Sequence, residues 1–239
     1  VVRDDGLGAA HELSSYALAH NFGDTLRRYH EHYHDKIGRA PTEHHGEGIA
    51  SAHDVIRFKH PVAPADIVPD VLPRALCLDE LDGCSVDDYS SAGPGTLEFT
   101  RPGIGKTWTA DGSTATITWQ LKGLAGKRLT TRLNLAMPSC DGFLGRYVLA
   151  DGGIPGGFGH ALDLKAASSL TLEDGVLGGR VLLRTTIPAE IHGRPQQTVS
   201  QSEAGFEKIM QALELSVNWV IPDDTCTLQL KLTIEPTSP

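Results

Sequence analysis

Cysteine is scarce in this chain: four residues in 239, at Cys77, Cys84, Cys140 and Cys226. None forms a CxxC pair, so a zinc ribbon, a thioredoxin-like motif and a dense disulfide framework are excluded as readings, and four reduced thiols are expected. Positive charge is also short. Lys and Arg number 21 against 30 Asp and Glu, giving a formal net charge of -9. The basic residues are scattered, and neutralising phosphates requires them clustered, so nucleic acid is not an expected partner. No apolar run reaches bilayer-spanning length and no signal-peptide pattern opens the chain, so no membrane association and a cytoplasmic location are expected. The chain begins Val1-Val2-Arg3-Asp4-Asp5 without Met and reads as a fragment or a processed product.

Helical periodicity is nearly missing too. It occurs once, over residues 21–37, where Phe22, Leu26, Tyr29, Tyr33 and Ile37 recur at spacings of four, three, four and four. That predicts one amphipathic helix, stopped at Gly38 with Pro41 just beyond. Residues 39–74 read as loop, and Pro61, Pro64, Pro69 and Pro73 predict an extended, irregular course. A helical and proline-rich lead-in over 1–73 is therefore expected, followed by the main domain over 74–239.

What is abundant is alternation. Ala115, Ile117, Trp119 and Leu121 alternate with threonines and Gln120. Leu129, Leu133 and Leu135 do so with Arg128, Arg132 and Asn134; Leu213, Leu215, Val217 and Trp219 with Glu214, Ser216 and Asn218. Cys226, Leu228, Leu230, Leu232 and Ile234 form a fourth set. Each predicts a strand with one buried and one wet face. Asp111-Gly112, Lys122-Gly123, Asp141-Gly142, Asp174-Gly175 and Pro222-Asp223 supply turns between them. Many strands, short turns and no intervening helices give a mainly β chain: a large antiparallel β-sandwich with a short N-terminal helical segment.

Three segments carry a family resemblance. They are Asn21-Phe22-Gly23-Asp24-Thr25-Leu26 running to Tyr33-His34; Ala52-His53-Asp54-Val55 with the prolines after it and Pro73-Arg74-Ala75; and Thr198-Val199-Ser200-Gln201-Ser202-Glu203-Ala204-Gly205-Phe206-Glu207, closing with Gln211 and Trp219. Phe158-Gly159-His160-Ala161-Leu162, Thr171-Leu172-Glu173-Asp174 and Leu177-Gly178-Gly179-Arg180 fit the same order. Together they resemble the C-terminal part of the α-amylases and 4-α-glucanotransferases of glycoside hydrolase family 57. The resemblance implies a galactose mutarotase-like supersandwich behind a catalytic barrel. It also implies hydrolysis or transfer at α-1,4-glucosidic bonds without an organic cofactor, and α-glucan and that barrel as partners. The family's catalytic glutamate and aspartate lie in the barrel, which has no counterpart here, so no catalytic residue is carried over. The stretch after Val55 is richer in proline and histidine than the family pattern, and Trp219 sits in Val-Asn-Trp-Val rather than beside a basic residue.

Four residues are candidate carbohydrate contacts. Gln201 and Glu203 lie in a polar run between strand-like segments, where a rigid sheet presents hydrogen-bonding groups to sugar hydroxyls. His160 follows the glycine-rich run 152–159, which lacks the strand-then-helix setting of a phosphate loop. With Glu203 it would form the acid-base pair of a mutarotase-like epimerase, the alternative to a supporting, sugar-binding or purely structural domain. Trp108 is read as lying near a turn and is the tryptophan proposed for stacking; Trp119 and Trp219 fall on apolar phases. A retaining glycosidase needs two carboxyl groups about 5–5.5 Å apart. Asp87-Asp88 and Asp223-Asp224 read instead as turn or surface charges. His30 and His34, one turn apart on the expected helix, are weighed as a metal pair, but His30-Glu31-His32-Tyr33-His34 lacks the zincin spacing and no metal is expected.

Overall fold

The computed structural model describes residues 2–4, 8–23, 25–37, 57–71, 73–93, 97–140 and 144–237. Gly38, Pro41, His44, His45, the Ala52–Val55 segment and the Asp141-Gly142 turn lie outside them.

Among the described residues, sixteen strands form one continuous, bent sheet. The first six are short: Val2–Asp4 (β1), Ala10–Ser15 (β2), His20–Asn21 (β3), Leu76–Leu81 (β4), Cys84–Ser85 (β5) and Ser90–Ser91 (β6). Glu98–Arg101 (β7), Ile104–Asp111 (β8), Thr114–Lys122 (β9) and Arg128–Leu135 (β10) follow, then Gly145–Val148 (β11) and Gly156–Gly157 (β12). The last four are long: Leu162–Asp174 (β13), Gly179–Ser202 (β14), Gly205–Val220 (β15) and Thr225–Pro236 (β16). All ladder pairs are antiparallel, in the order β1-β2-β4-β10-β15-β14-β16-β9-β8-β7-β6, with β13 against β14.

β14 makes this sheet a sandwich. Residues 179–185 pair with β16, while 190–202 pair with β15. The strand thus crosses from one layer to the other near Pro188, and β13 bends with it through register shifts between Leu164 and Ser169. The layers close on the alternating apolar residues, Trp119 and Trp219 meeting at 5.7 Å between ring centroids. All four predicted alternating sets are strands with buried apolar phases, because only one face of each is covered. Cys77, Cys140 and Cys226 are buried and Cys84 is exposed.

Inside this core sits an ion pair. Lys106 Nζ lies 2.8 Å from Asp79 Oδ2, and both side chains are 0% exposed. Tyr89 and Trp119 donate to the same Asp79 oxygen at 2.8 and 2.9 Å, and Thr131 donates to the other at 2.7 Å. Lys106 also donates to the Cys77 carbonyl at 2.6 Å. Cys77 is the extra residue where β4 slips against β10, with φ of +60°. That bulge puts Asp79 on the inner face and turns the Cys77 carbonyl to Lys106. Burial, only partly offset by the nearby ammonium of Lys106, pushes the Cys77 thiol up to about 12, which leaves it unreactive.

The predicted helix over 21–37 does not form. Asn21 ends β3, and among the described residues of this stretch the helical turn is a 3-10 segment, His32–Lys36. Phe22 is fully buried, yet Leu26 and Tyr29 are 60% and 61% exposed, so the periodic residues share no face. The backbone is committed elsewhere. Phe22 N–H donates to Leu13 and its carbonyl accepts from Ala136, while the Arg28 carbonyl accepts from Asp70 N–H. Tertiary bonds override a weak local preference. The first strands also join the main sheet, and Ala9, Ala10, Leu13 and Phe22 lie in the same core as residues beyond 74.

Candidate functional site

The outer face of the β10-β15-β14 layer is polar in three aligned rows. Thr130 faces Asn218 and Glu190; Arg132 faces Ser216 and His192; Asn134 faces Glu214 and Arg194. The rows are tied by side chains. Thr130 donates to Asn218 at 2.7 Å, Arg128 pairs with Glu190 at 2.8 Å, and Arg132 pairs with Glu80 at 2.9 Å. His192 Nδ1 donates to Asp163 at 2.5 Å, and Arg194 adds a bond to the same oxygen. The hydrogen bonds from His192 and Arg194 lower the Asp163 carboxyl below its ordinary range; those from Arg128 and Lys165 do so for Glu190.

The lead-in crosses this face and holds the far half of the β14-β15 hairpin at both edges. On the β14 edge, His34 Nε2–H donates to the Val199 carbonyl at 3.1 Å and Tyr33 donates to it at 3.3 Å. Glu31 N–H donates to His34 Nδ1 at 3.1 Å, so both ring nitrogens are engaged and His34 is a structural tie. His30 binds Asp35 instead, at 2.9 Å. On the β15 edge, Phe206 N–H donates to Arg57 at 2.7 Å, and the Phe206 carbonyl accepts from Lys59 at 2.8 Å. Phe58 stacks on Phe206 at 5.5 Å.

Asp70 anchors the strap. It receives Arg28 N–H at 2.7 Å, the Arg28 guanidinium at 2.8 and 3.0 Å, and that of Arg74 at 2.6 and 2.8 Å. Burial opposes its ionisation, but bonds from Arg74 and Arg28 outweigh it and hold the carboxyl at about 2 against an ordinary 3.8. A depressed value stabilises the fold above the ordinary pKa, and this contribution is lost as pH falls from about 4 towards 2. Asp70→Asn is therefore expected to cost about 1–2 kcal/mol at pH 7, and the gap to wild type should narrow at pH 3 in urea titrations.

Two clefts lie between strap and sheet. The larger, of about 530 Å³, runs between residues 25–34 and the hairpin, with Tyr29, Tyr33, Thr198, Ser200, Ile209 and Gln211 among its walls. The smaller, of about 370 Å³, is bounded by Arg28, Asp70 and Arg74 on one side and Leu78, Arg132, Asn134, Gln196 and Glu214 on the other. Gln211 donates to Thr198 at 2.9 Å across the floor of the larger one. Burial first, and the Glu31 carboxylate second, raise the Tyr33 phenol, which stays a donor.

The sequence-predicted residues scatter around this arrangement. Gln201 is half-buried near the hairpin tip, and Glu203 is exposed in the two-residue turn between Ser202 and Gly205. His160 is exposed in the turn before β13. Leu162 pairs with Gly193, so ten residues of β14, roughly 30 Å of extended strand, separate that end from Glu203. His160 and Glu203 do not form an acid-base pair. Trp108 is corrected: it is 3% exposed on the inward phase of β8 and donates to the Gly8 carbonyl at 3.1 Å, so it is core and no sugar platform. Tyr29, Ser200 and Gln211 meet here with no local sequence signal: Tyr29 falls on the expected helix stripe, and only closure of the strap joins it to the hairpin.

Residues 1–94 and 88–232 match the family described as alpha-amylase/4-alpha-glucanotransferase, C-terminal. A 4-alpha-glucanotransferase of Thermococcus kodakarensis is 29% identical over 231 residues, covering 88% of this chain and 34% of that protein. An alpha-amylase of Pyrococcus abyssi is 23% identical over 245 residues, covering 92% and 35%. The crystal structure of a 4-alpha-glucanotransferase from Thermococcus litoralis superposes with a TM-score of 0.62 at 18% identity, over 98% of this chain and 38% of that one. This last likeness concerns the fold. The chain spans about a third of the length of the curated relatives it matches. No helix among the described residues is long and apolar enough to cross a membrane. With the match running through both sandwich layers and the strap, the chain belongs to the C-terminal domain family of the alpha-amylases and 4-alpha-glucanotransferases.

Proposed function

We propose that this domain is the non-catalytic part of an α-glucan-processing enzyme, buttressing the catalytic barrel and forming one wall of the cleft that holds an α-1,4-glucan. The observation that supports this best is the outer face just described. Three strands present hydroxyl, amide and charged groups in register, as a polyhydroxylated chain requires. Around it the surface turns apolar: Leu26, Phe58, Val68, Val71 and Ile209 are large and exposed, and all belong to the strap or to the strand beneath it. Apolar surface concentrated this way suits contact with a second domain. Gln201 and Glu203 at the hairpin tip and His160 at the opposite end are proposed sugar contacts at the margins of the face.

The reaction itself belongs to the barrel. The 239-residue chain incubated with maltooligosaccharides is expected to release no glucose and to redistribute no chain lengths by chromatography. Clear turnover by this chain alone overturns the assignment of a supporting role.

A further inference from the structure

We propose that the larger cleft, between residues 25–34 and the β14-β15 hairpin, is a binding subsite for a neutral α-linked glucan segment. This rests on the glucan reading above and assigns it a place.

The arginines and the aspartate of the cleft are committed. Arg27 donates to the Asp70 and Val71 carbonyls, Arg28 is held by the Asp70 carboxylate, and Asp66 pairs with Lys208 at 2.7 Å. An ionic ligand therefore meets no free opposite charge among these. Glu31 adds one exposed carboxylate to the lining; the groups that suit a neutral ligand are of two kinds. Ser200, Thr198 and Gln211 offer hydroxyl and amide groups from adjacent strands, where the sheet fixes their spacing. Opposite them stands Tyr29, which is 61% exposed and whose ring centroid lies 5.7 Å from the Arg27 guanidinium carbon. A rigid aromatic held in water is an unpaired apolar surface beside hydrogen-bonding groups.

A pyranose ring has that same division, with an apolar C–H face and a rim of hydroxyls. The volume of about 530 Å³ lies within the range of sites for small organic ligands. The wall is also preorganised. His34, bonded through both nitrogens to Val199 and Glu31, locks the segment that carries Tyr29 against the hairpin. A ligand entering here has little ordering left to do, which favours affinity.

The test is ligand-observed NMR titration of the 239-residue chain with maltoheptaose, and with cellohexaose as the β-linked comparator. Wild type is expected to bind maltoheptaose and to prefer it. Tyr29→Ala should weaken binding about tenfold, a typical loss for one stacking contact. The double variant Ser200→Ala/Gln211→Ala should weaken it to a similar degree, both melting within a few degrees of wild type because Tyr29 and Ser200 face the cleft. Undiminished binding in both variants overturns the cleft and leaves the glucan reading intact. No binding of maltoheptaose by wild type overturns both. Equal binding of cellohexaose overturns the α-linked class.

Discussion

Lys106→Ala is expected to destabilise the domain by about 3–5 kcal/mol, the cost of leaving one member of a buried ion pair alone. For a domain of this size that corresponds to a melting point lower by roughly 10 °C. Asp79 would be left without its cation in a site with no access to water, while the Cys77 carbonyl would lose its donor. Asp79→Ala should cost at least as much, because Tyr89, Trp119 and Thr131 all donate to that carboxylate and would be orphaned together. The double variant separates the pair from its surroundings. Once Asp79 is gone, the Lys106 ammonium has only the Cys77 carbonyl and the rings of Tyr89, Trp108 and Trp119 near it, so replacing it by methionine removes a liability. Asp79→Ala/Lys106→Met is thus expected to be no less stable than Asp79→Ala alone. Costs that simply add in the cycle of Asp79→Ala, Lys106→Met and the double variant would rule out the ion pair as the unit that stabilises this core.

This cluster also shows where the sequence was readable and where it was not. The strands at 114–122, 205–220 and 225–236 were visible because apolar residues occupy one phase without interruption. Lys106 falls on the same inward phase as Ile104 and Trp108, so a charge in an apolar phase was there to be noticed. Asp79 was hidden, because the bulge at Cys77 reverses the phase of β4 and nothing local announces it. β14 was underestimated for a related reason. Pro188 falls at the crossover between layers, and Pro195 lies beyond Gly193, where β13 has ended. Both prolines are tolerated at those positions yet read as breaks. The expected helix failed because Asp70, more than 40 residues away, claims the backbone of Arg28. The family resemblance drew on the segment from Thr198 to Glu207, and that segment is the hairpin tip the strap holds. Of the candidate site, the tip was therefore legible. The cleft was not, because it exists only after His34 reaches Val199, across 165 positions of chain.

The same hairpin carries the other large expected effect. Gly205→Val should cost about 2–4 kcal/mol and release the strap from the β15 edge. Gly205 has φ of +115°, a conformation L side chains rarely adopt, and a Cβ there would lie 2.5 Å from the Arg57 carbonyl oxygen. That oxygen accepts the Phe206 N–H, so the chain cannot relieve the overlap without breaking the first bond of the clamp. Displacing Arg57 carries Phe58 off Phe206 and exposes a ring that is now buried. Ala204→Val, one residue earlier in an exposed turn position, should stay within about 0.5 kcal/mol of wild type. Phe58→Ala should fall between the two, since it removes the stack while leaving the backbone bonds of Arg57 and Lys59. Urea titration ranks the three variants, and amide exchange at Phe206 and Lys59 locates the damage. If Gly205→Val exchanges those amides no faster than wild type, the clamp is not what holds the hairpin tip. If it exchanges them freely, the tip carrying Gln201 and Glu203 is held in place by a segment lying more than 140 residues earlier in the chain, and glucan affinity should fall with it.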